Sequence, residues 1–520
     1  MVKEIEKDVL IRQHILRSTV SNYGAKVIML GTWFLLTPFI LHQLGPDGYG
    51  LWVVVGSATA YGTLLNFGIS GAVIKYVAEH RAKGESQQAA SLVATALCLY
   101  SVLGLIAIAI SLAIAPLFPL VFNVLPEQRS TAISLVRLMG LGVGISIPCA
   151  TATAVLWGLQ RFDASNFLNV AGTILTAAGI VAVLLLGGGV LGMVAVSILV
   201  TLLMQVPTVW FINRLAPDLR FGWRGANRAL VRTVMSFSWP LFVIDAGDRL
   251  QNKTDEIVIS AFLPISAVAP YAIARKLSEV AQILTDQFMR VLLPLASRLN
   301  AENDQARIRS IYIIGTRLTL TIFLPVGCSL IVLAPPILTM WVGAEYADYA
   351  YLVTILTVAS LIDTSQWPAG SILQGVARHR PLALISIGAG IANVALSMAL
   401  VRAFGLTGVA MGTLVPTMVA CLGFMLPYSM HAIGVEKAQM MRQVFLPAWL
   451  PVIPMGSTLY LLDKIFEPSS LFSIMAVAGA GVTVYVATYM TFSASEMERQ
   501  TCRSMVVNIK SVAGSCFNRA

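Results

Sequence analysis

Ser91-Leu-Val-Ala-Thr-Ala-Leu-Cys-Leu-Tyr-Ser-Val-Leu-Gly-Leu-Ile-Ala-Ile-Ala-Ile-Ser-Leu-Ala-Ile-Ala115 runs for 25 residues without a charged side chain. A helix needs about 20 mostly apolar residues to cross a bilayer. A helix on a soluble domain would keep a polar face over such a length, and this one keeps none. The stretch reads as a helix surrounded by lipid. Similar stretches lie near 18–42, 49–70, 132–157, 166–187, 190–213 and 234–262. Others fall near 266–296, 312–336, 349–373, 381–403, 407–430, 443–462 and 471–493. The expected fold class is all-α, a polytopic membrane protein with about fourteen transmembrane helices.

Composition points the same way. Of 520 residues, 57% are hydrophobic and 12% charged, against about 45–50% and about 25% in soluble domains. Half the usual charge cannot solvate a globule of this size. The net charge of +10 would suit nucleic acid if it were clustered. Instead Lys and Arg sit in short connectors, as a topology signal does. With both termini cytosolic, inner segments hold 24 of the 35 Lys and Arg residues and outer loops hold three, Arg129, Arg402 and Lys464. A miscounted span would invert every later loop and destroy that bias. Nucleic acid is set aside as a partner.

Several chemistries are missing from the sequence. There is no G-x-x-x-x-G-K-[ST] loop for ATP and no His-Glu-x-x-His or Gly-x-Ser-x-Gly motif. The five histidines are dispersed, and the six cysteines form no Cys-x-x-Cys pair. No cofactor, metal or nucleotide is expected. Residues 1–17 alternate charged and apolar side chains and read as an amphipathic cytosolic segment rather than a cleaved signal. Every outer loop is short, the longest near 116–131, which leaves little room for the catalytic groups of a polysaccharide polymerase or ligase.

The chain resembles itself at an offset of about 217 residues. Gly158-Leu-Gln-Arg161 returns as Gly375-Val-Ala-Arg378, and Gly189-Val-Leu-Gly192 as Gly405-Leu-Thr-Gly408. Tyr49 has a counterpart in Tyr271. A repeat of six helices gives two lobes of the same orientation, the kind of parallel repeat found in transporters. The expected organisation is an N-terminus over 1–17 and a first lobe over 18–213. A basic cytosolic connector over 214–233 and a second lobe over 234–435 follow, then two extra helices over 436–493 and a tail over 494–520.

Ionisable residues within spans are costly and mark pathways or ion pairs. The seventh span carries Asp245, Asp248, Arg249, Lys253, Asp255 and Glu256. On one continuous helix, Asp245, Arg249, Asn252 and Glu256 would share a stripe about 60° wide. In the eighth span Arg275, Glu279, Gln282, Asp286 and Arg290 share one about 80° wide. A water-filled cavity explains both stripes. Structural pairs, Asp245 with Arg249 and Arg275 with Glu279, are the alternative. Lys26, Arg137 and Arg317 stand alone in their spans, and Asp363 is the lone acid of its span. Cationic excess suits an anionic substrate such as a phosphate. The candidate substrate cations are Lys26, Arg137, Arg275, Arg290, Arg249, Lys253 and Arg317. The candidate coupling or ion-pair carboxylates are Asp245, Asp248, Asp255, Glu256, Glu279, Asp286 and Asp363. Asp363 is the preferred proton carrier, with a bond to a cation such as Arg317 as the alternative. Gly140, Gly142 and Gly144 are expected to permit close helix packing.

Three stretches carry a family resemblance: Leu44-Gly-Pro-Asp-Gly-Tyr-Gly-Leu-Trp52, Leu65-Asn-Phe-Gly-Ile-Ser-Gly-Ala-Val-Ile-Lys-Tyr-Val-Ala-Glu79, and Thr254-Asp-Glu-Ile-Val-Ile-Ser260 with Tyr271-Ala-Ile-Ala-Arg-Lys-Leu277. They resemble the Wzx-type O-antigen and capsule flippases of the multidrug/oligosaccharidyl-lipid/polysaccharide (MOP) exporter superfamily. The resemblance implies a pair of six-helix lobes of the MATE type, alternating access, and a bacterial inner-membrane location. The implied substrate is an undecaprenyl-diphosphate-linked oligosaccharide, moved from the inner to the outer leaflet. The implied partners are the bilayer, that glycolipid and the polysaccharide polymerase and chain-length machinery. A multidrug cation antiporter and a lipid II flippase share the implied fold. Lys26 and Arg137 count against cationic drugs, which would favour an acidic cavity.

Overall fold

In the computed structural model the chain is helical, with no strand among the described residues. The described chain runs from Val2 to Gln500 without residues 220, 221, 223, 224, 377, 379 and 497. For residues 2–23, 240, 241, 244, 248, 251, 252, 287, 288, 290 and 291 only the backbone is described. The amphipathic character expected of residues 1–17 and the tail beyond residue 500 therefore lie outside the described residues, as do Arg220 and Arg224 of the basic connector.

Leaving out single turns, the π-helical segments and the helical run 437–449, the helices are α1 (Val2–Gly62), α2 (Ile69–Ala82), α3 (Ser86–Ile114), α4 (Arg129–Gly158), α5 (Phe162–Leu185) and α6 (Gly189–Leu215). Then come α7 (Arg228–Asn252), α8 (Asp255–Phe262), α9 (Val268–Ala301), α10 (Gln305–Val332), α11 (Ala334–Trp341) and α12 (Ala350–Ser365). The last are α13 (Trp367–Gly375), α14 (Arg380–Met418), α15 (Leu426–Ile433), α16 (Val452–Phe466) and α17 (Leu471–Thr488). Among the described residues, ten stretches are long and apolar enough to cross a membrane. Two of the ten hold a helix divided at one glycine. α1 leaves helical geometry at Gly45 (φ 69°, ψ 172°) and α14 at Gly405 (φ 57°, ψ −135°). A positive φ costs glycine nothing and strains any other residue, so the chain breaks there. The charged helices α7, α8 and α9 are not among the ten.

One expectation about these helices is corrected. The seventh expected span is not one helix: α7 ends at Asn252 and α8 begins at Asp255. Lys253 (φ −129°, ψ 5°) lies between them. The stripe that would align Glu256 with Asp245 and Arg249 is therefore interrupted. The cause is local chemistry. Asp255 and Glu256 sit in the first turn of α8, where the helix dipole favours negative charge, while Thr254 makes no side-chain cap.

The chain divides into two compact units. One comprises Met1–Ala272 with Gly390–Gly412; the other comprises Ile273–Ala389 with Thr413–Ala520. In the first, Ile69, Val73 and Val77 of α2 pack with Leu92, Ala96 and Tyr100 of α3 and with Ile147 and Val155 of α4. In the second, Tyr312, Leu320 and Leu324 of α10 pack with Leu373 of α13, Leu459 of α16 and Tyr485 of α17. The Tyr485 hydroxyl donates to the carbonyl of Ala448 at 2.9 Å, so this buried phenol is satisfied.

Lipid is as apolar as leucine, so helices in a membrane associate through close packing rather than hydrophobic exclusion. The expected glycines serve that purpose. A Cβ on Gly144 would lie 2.7 Å from the carbonyl oxygen of Gly104, on α3, and a Cβ on Gly104 would strike the carbonyl of Gly144 in return. One on Gly140 would strike Ser111, and one on Gly142 would lie 3.1 Å from Ile198.

Local geometry recurs at the spacing seen in the sequence. A Cβ on Gly158 would lie 2.9 Å from Val77 and 3.2 Å from the carbonyl of Ile74; one on Gly375 would lie 2.9 Å from Ala296 and 2.8 Å from the carbonyl of Leu293. The turn after α2 has Gly84 at φ 75°, and the turn after α9 has Asn303 at φ 56°. Glu85 N–H then donates to His80 at 2.8 Å and Asp304 N–H to Leu299 at 3.0 Å, closing each helix in the same way. Each of those helices ends in an i,i+4 ion pair, Glu79 with Lys83 and, with the charges exchanged, Arg298 with Glu302.

Candidate functional site

The break between α7 and α8 gathers several charged and hydroxyl side chains of the first unit. Arg249, on the last turn of α7, has its Nε 3.2 Å from Asp245 Oδ2 and donates a second guanidinium N–H to the carbonyl of Ala60 at 3.2 Å. The Tyr61 hydroxyl donates to the carbonyl of Arg249 at 3.2 Å and shares a 2.5 Å hydrogen bond with Thr254 Oγ1. The second half of α1 is thereby tied to both sides of the break. Beyond it, Asp255 and Glu256 are buried, at 0% and 3% exposure. Asp255 accepts the Tyr271 hydroxyl at 2.7 Å. Lys253 is half-buried. A helix interrupted within a membrane is tolerated only where protein or water satisfies its backbone, which is why such breaks accompany binding sites.

Helix α9 is continuous, so the backbone positions of the expected stripe share one face. Arg275 Nε lies 3.4 Å from Glu279 Oε1, with the arginine side chain 11% exposed and the glutamate 42%. Asp286 is half-buried on the same helix. The pair that α7 offers, Asp245 with Arg249, and the pair that α9 offers, Arg275 with Glu279, are thus both made.

Six candidates remain. Lys26 is half-buried on α1, and Arg137 is exposed on α4. The side chains of Asp248 and Arg290 are outside the described residues. Arg317, alone in sequence, is bound from far along the chain. Its Nε donates to Glu498 Oε1 at 3.0 Å, and further N–H groups reach Ser495 Oγ and the Gln443 carbonyl. Asp363 accepts the indole N–H of Trp367 at 2.9 Å, while Arg317 is engaged with Glu498.

The Arg317–Glu498 pair makes docking of the segment after α17 sensitive to pH. Burial pushes Glu498 up, but the Arg317 hydrogen bond and the Ser495 backbone N–H outweigh it, so the carboxyl lies below its ordinary 4.5. A carboxyl lowered in the folded state stabilises above its ordinary pKa and loses that contribution as pH falls through the lowered value. Measured relative to a free thiol at the same pH, labelling of a cysteine at the buried Ala494 should therefore be slow at pH 7 and accelerate below about pH 4.5. In a Glu498→Gln background it should be fast at both. A relative labelling rate of the single variant that stays constant from about pH 7 to about pH 3.5 would remove the pair from this role.

A second locus carries no charge, and a search for ionisable residues passes over it. A cavity of about 280 Å³ lies among α1, α4, α5 and α6, with Thr153, Ser165, Asn169, Thr173, Thr201 and Gln205 in its wall beside Trp33. The signal was present as spacing. Ser165, Asn169, Thr173 and Thr176 recur every three or four residues on α5, and Thr201, Gln205 and Thr208 do so on α6.

The comparisons bear on fold and family. A family model described as a polysaccharide biosynthesis protein matches residues 43–351. The probable low-salt glycan biosynthesis flippase Agl15 of Haloferax volcanii is 22% identical over 408 residues, 76% of this chain and 80% of that protein. The lipid II flippase MurJ, in an inward closed conformation, superposes with a TM-score of 0.72 at 13% identity, covering 92% of this chain and 98% of its own. A multidrug resistance MATE family transporter of the MOP superfamily, facing inward, gives 0.70 at 15% identity over 78% and 94%. The fold is that of the MOP transporters, as the sequence led one to expect.

Proposed function

Since the chain belongs to the polysaccharide biosynthesis protein family, we propose that it is a flippase for undecaprenyl-diphosphate-linked oligosaccharides. It carries them by alternating access from the inner to the outer leaflet of a bacterial inner membrane. The product serves O-antigen, capsule or exopolysaccharide assembly, where a polymerase and its chain-length machinery take it up. The chain acts as a transporter and not as an enzyme. The observation that carries this reading is the broken, charged helix pair α7–α8 in a chain whose described residues hold ten stretches apolar enough to cross a membrane. A diphosphate–sugar head group needs a hydrated polar route, while its polyprenyl tail stays in lipid. A glycan flippase among the relatives and a lipid II flippase among the similar structures support the same reading.

In this reading Lys26, Arg137, Arg275 and Arg290 hold the diphosphate, and the chain makes fourteen passes with both termini in the cytosol. Two six-helix lobes are followed by two further helices. Asp363 takes up the coupling proton. Flipping of a fluorescent polyprenyl-diphosphate glycan in vesicles reconstituted with the full chain tests the function. Transport of the glycolipid, slowed at least tenfold by Ala at Lys26 or Arg275, is expected. Transport of a cationic dye in its place would overturn the proposal. Topology is tested separately. Cysteines placed in the loops near Gly45, Ala344 and Pro468, at Asp47, Ala344 and Ser469, should react with an impermeant maleimide from outside, and one at Arg224 should react only after the membrane is opened. Outside labelling at Arg224 would invert the model.

A further inference from the structure

The uncharged cavity of the first unit has a chemistry of its own. None of the described residues lining it is ionisable. The hydroxyls of Thr173, Thr201 and Thr208 donate to the carbonyls of Asn169, Ser197 and Met204 at 2.8, 2.8 and 2.6 Å. Each hydroxyl has one hydrogen and two lone pairs, so these oxygens remain as acceptors. The amides of Asn169 and Gln205, which have no hydrogen-bond partner among the described residues, add both donors and acceptors. Trp33 supplies an aromatic wall, its ring 6.5 Å from that of Trp52.

Back-bonded threonines are common glue between membrane helices. Glue closes a gap, however, and here the four helices leave a half-open cavity in whose wall Asn169 is exposed. At about 280 Å³, this void is just below the ~300–1,000 Å³ of sites for drug-sized ligands, which is room for one ring and not for an oligosaccharide. The occupant must offer many hydroxyl donors and one apolar face. An anion would meet no cation among the described lining residues, with the N–H groups of Asn169 and Gln205 as donors.

We propose that this cavity is the subsite for one uncharged sugar ring of the transported glycolipid, packed against Trp33 and hydrogen-bonded by Asn169 and Gln205. The assignment rests on the flippase reading and adds a selectivity to it. The ring held here is neutral, and the diphosphate is bound elsewhere.

The test places a cysteine at Thr201, or at Thr176 should the first variant fold poorly, in a full-length chain lacking its native cysteines. Its rate of reaction with an uncharged maleimide is followed with three probes. These are polyprenyl diphosphate bearing a neutral disaccharide, the same lipid bearing a hexuronic acid, and bare polyprenyl diphosphate. The neutral glycolipid should slow labelling at least fivefold, and the other two less than twofold. Equal slowing by the bare lipid would assign the cavity to lipid or to a general closure, and no slowing by the neutral glycolipid would leave it to water; either overturns the subsite. In vesicles, Gln205→Leu should raise the half-saturating concentration of the neutral glycolipid at least tenfold and leave that of the bare lipid unchanged. Equal rises would also overturn it. Wild-type vesicles that move the glycolipid while labelling is unprotected would refute the subsite alone. Vesicles that move none of the three lipids would refute the flippase reading and the subsite with it.

Discussion

Replacing Gly144 by leucine should remove the protein from the membrane. At the crossing of α3 and α4 the two backbones touch: the added Cβ would lie 2.7 Å from the Gly104 carbonyl oxygen and would also strike Ile108. A flexible side chain can move aside, but a helix carbonyl engaged in its own ladder cannot. Overpacking a core typically costs about 1–3 kcal/mol, and four carbons driven into a backbone should exceed that range. A native state stable by ~5–15 kcal/mol loses a large part of its margin in this way. The same argument applies to Gly104→Leu. Gly31→Leu is the control, because nothing lies within 4 Å of a Cβ there. The level of monodisperse protein extracted from membranes should fall at least tenfold for the first two variants and stay within twofold for the third. Normal levels of Gly144→Leu would show that α3 and α4 can slide apart without loss.

Features of the chain were legible in the sequence to the extent that lipid imposes them on every span. An apolar stretch such as 91–115 admits one reading, since a backbone in hydrocarbon must bond to itself. Glycine packing was legible for the same reason: closeness is what holds helices together in lipid, and Gly140 and Gly144 had no side chain to offer. The ion pairs at i,i+4, Asp245–Arg249 and Arg275–Glu279, needed nothing beyond a helix. Tertiary contacts were not legible. Arg317 seemed alone because its partner, Glu498, lies 181 residues away. The break before Asp255 was marked in the sequence by the acidic pair Asp255-Glu256 of a first turn. The charge periodicity runs across it with so little offset that a continuous helix reads equally well. The neutral cavity escaped because hydroxyls are cheap in a span once bonded to their own carbonyls, and so do not announce themselves as a buried arginine does.

Arg249 is the residue at which two roles can be separated, and its variants should show the larger effect on transport. If it served only as a cavity cation, lysine would replace it. Its geometry asks for more. The guanidinium reaches Asp245 with one N–H and the Ala60 carbonyl with another, while the Tyr61 hydroxyl donates to the Arg249 carbonyl. A planar fork can make both side-chain contacts at once, and a lysine ammonium on its flexible stem holds that arrangement poorly. Asp245 is 47% exposed, so unpairing it costs no more than the ~0–1 kcal/mol of an exposed ion pair, and the fold should survive. What is lost is the tie between α1 and the end of α7 beside the α7–α8 break, which positions the break. Arg249→Ala and Arg249→Lys should therefore both flip glycolipid at less than a tenth of the wild-type rate while reaching normal membrane levels. Lys26→Arg, in which only the charge is needed, should keep at least half. Tyr61→Phe, which removes the hydroxyl shared between Arg249 and Thr254, should fall between them. Full activity of Arg249→Lys would reduce Arg249 to a point charge and leave the break to be held by Asp255 and Tyr271.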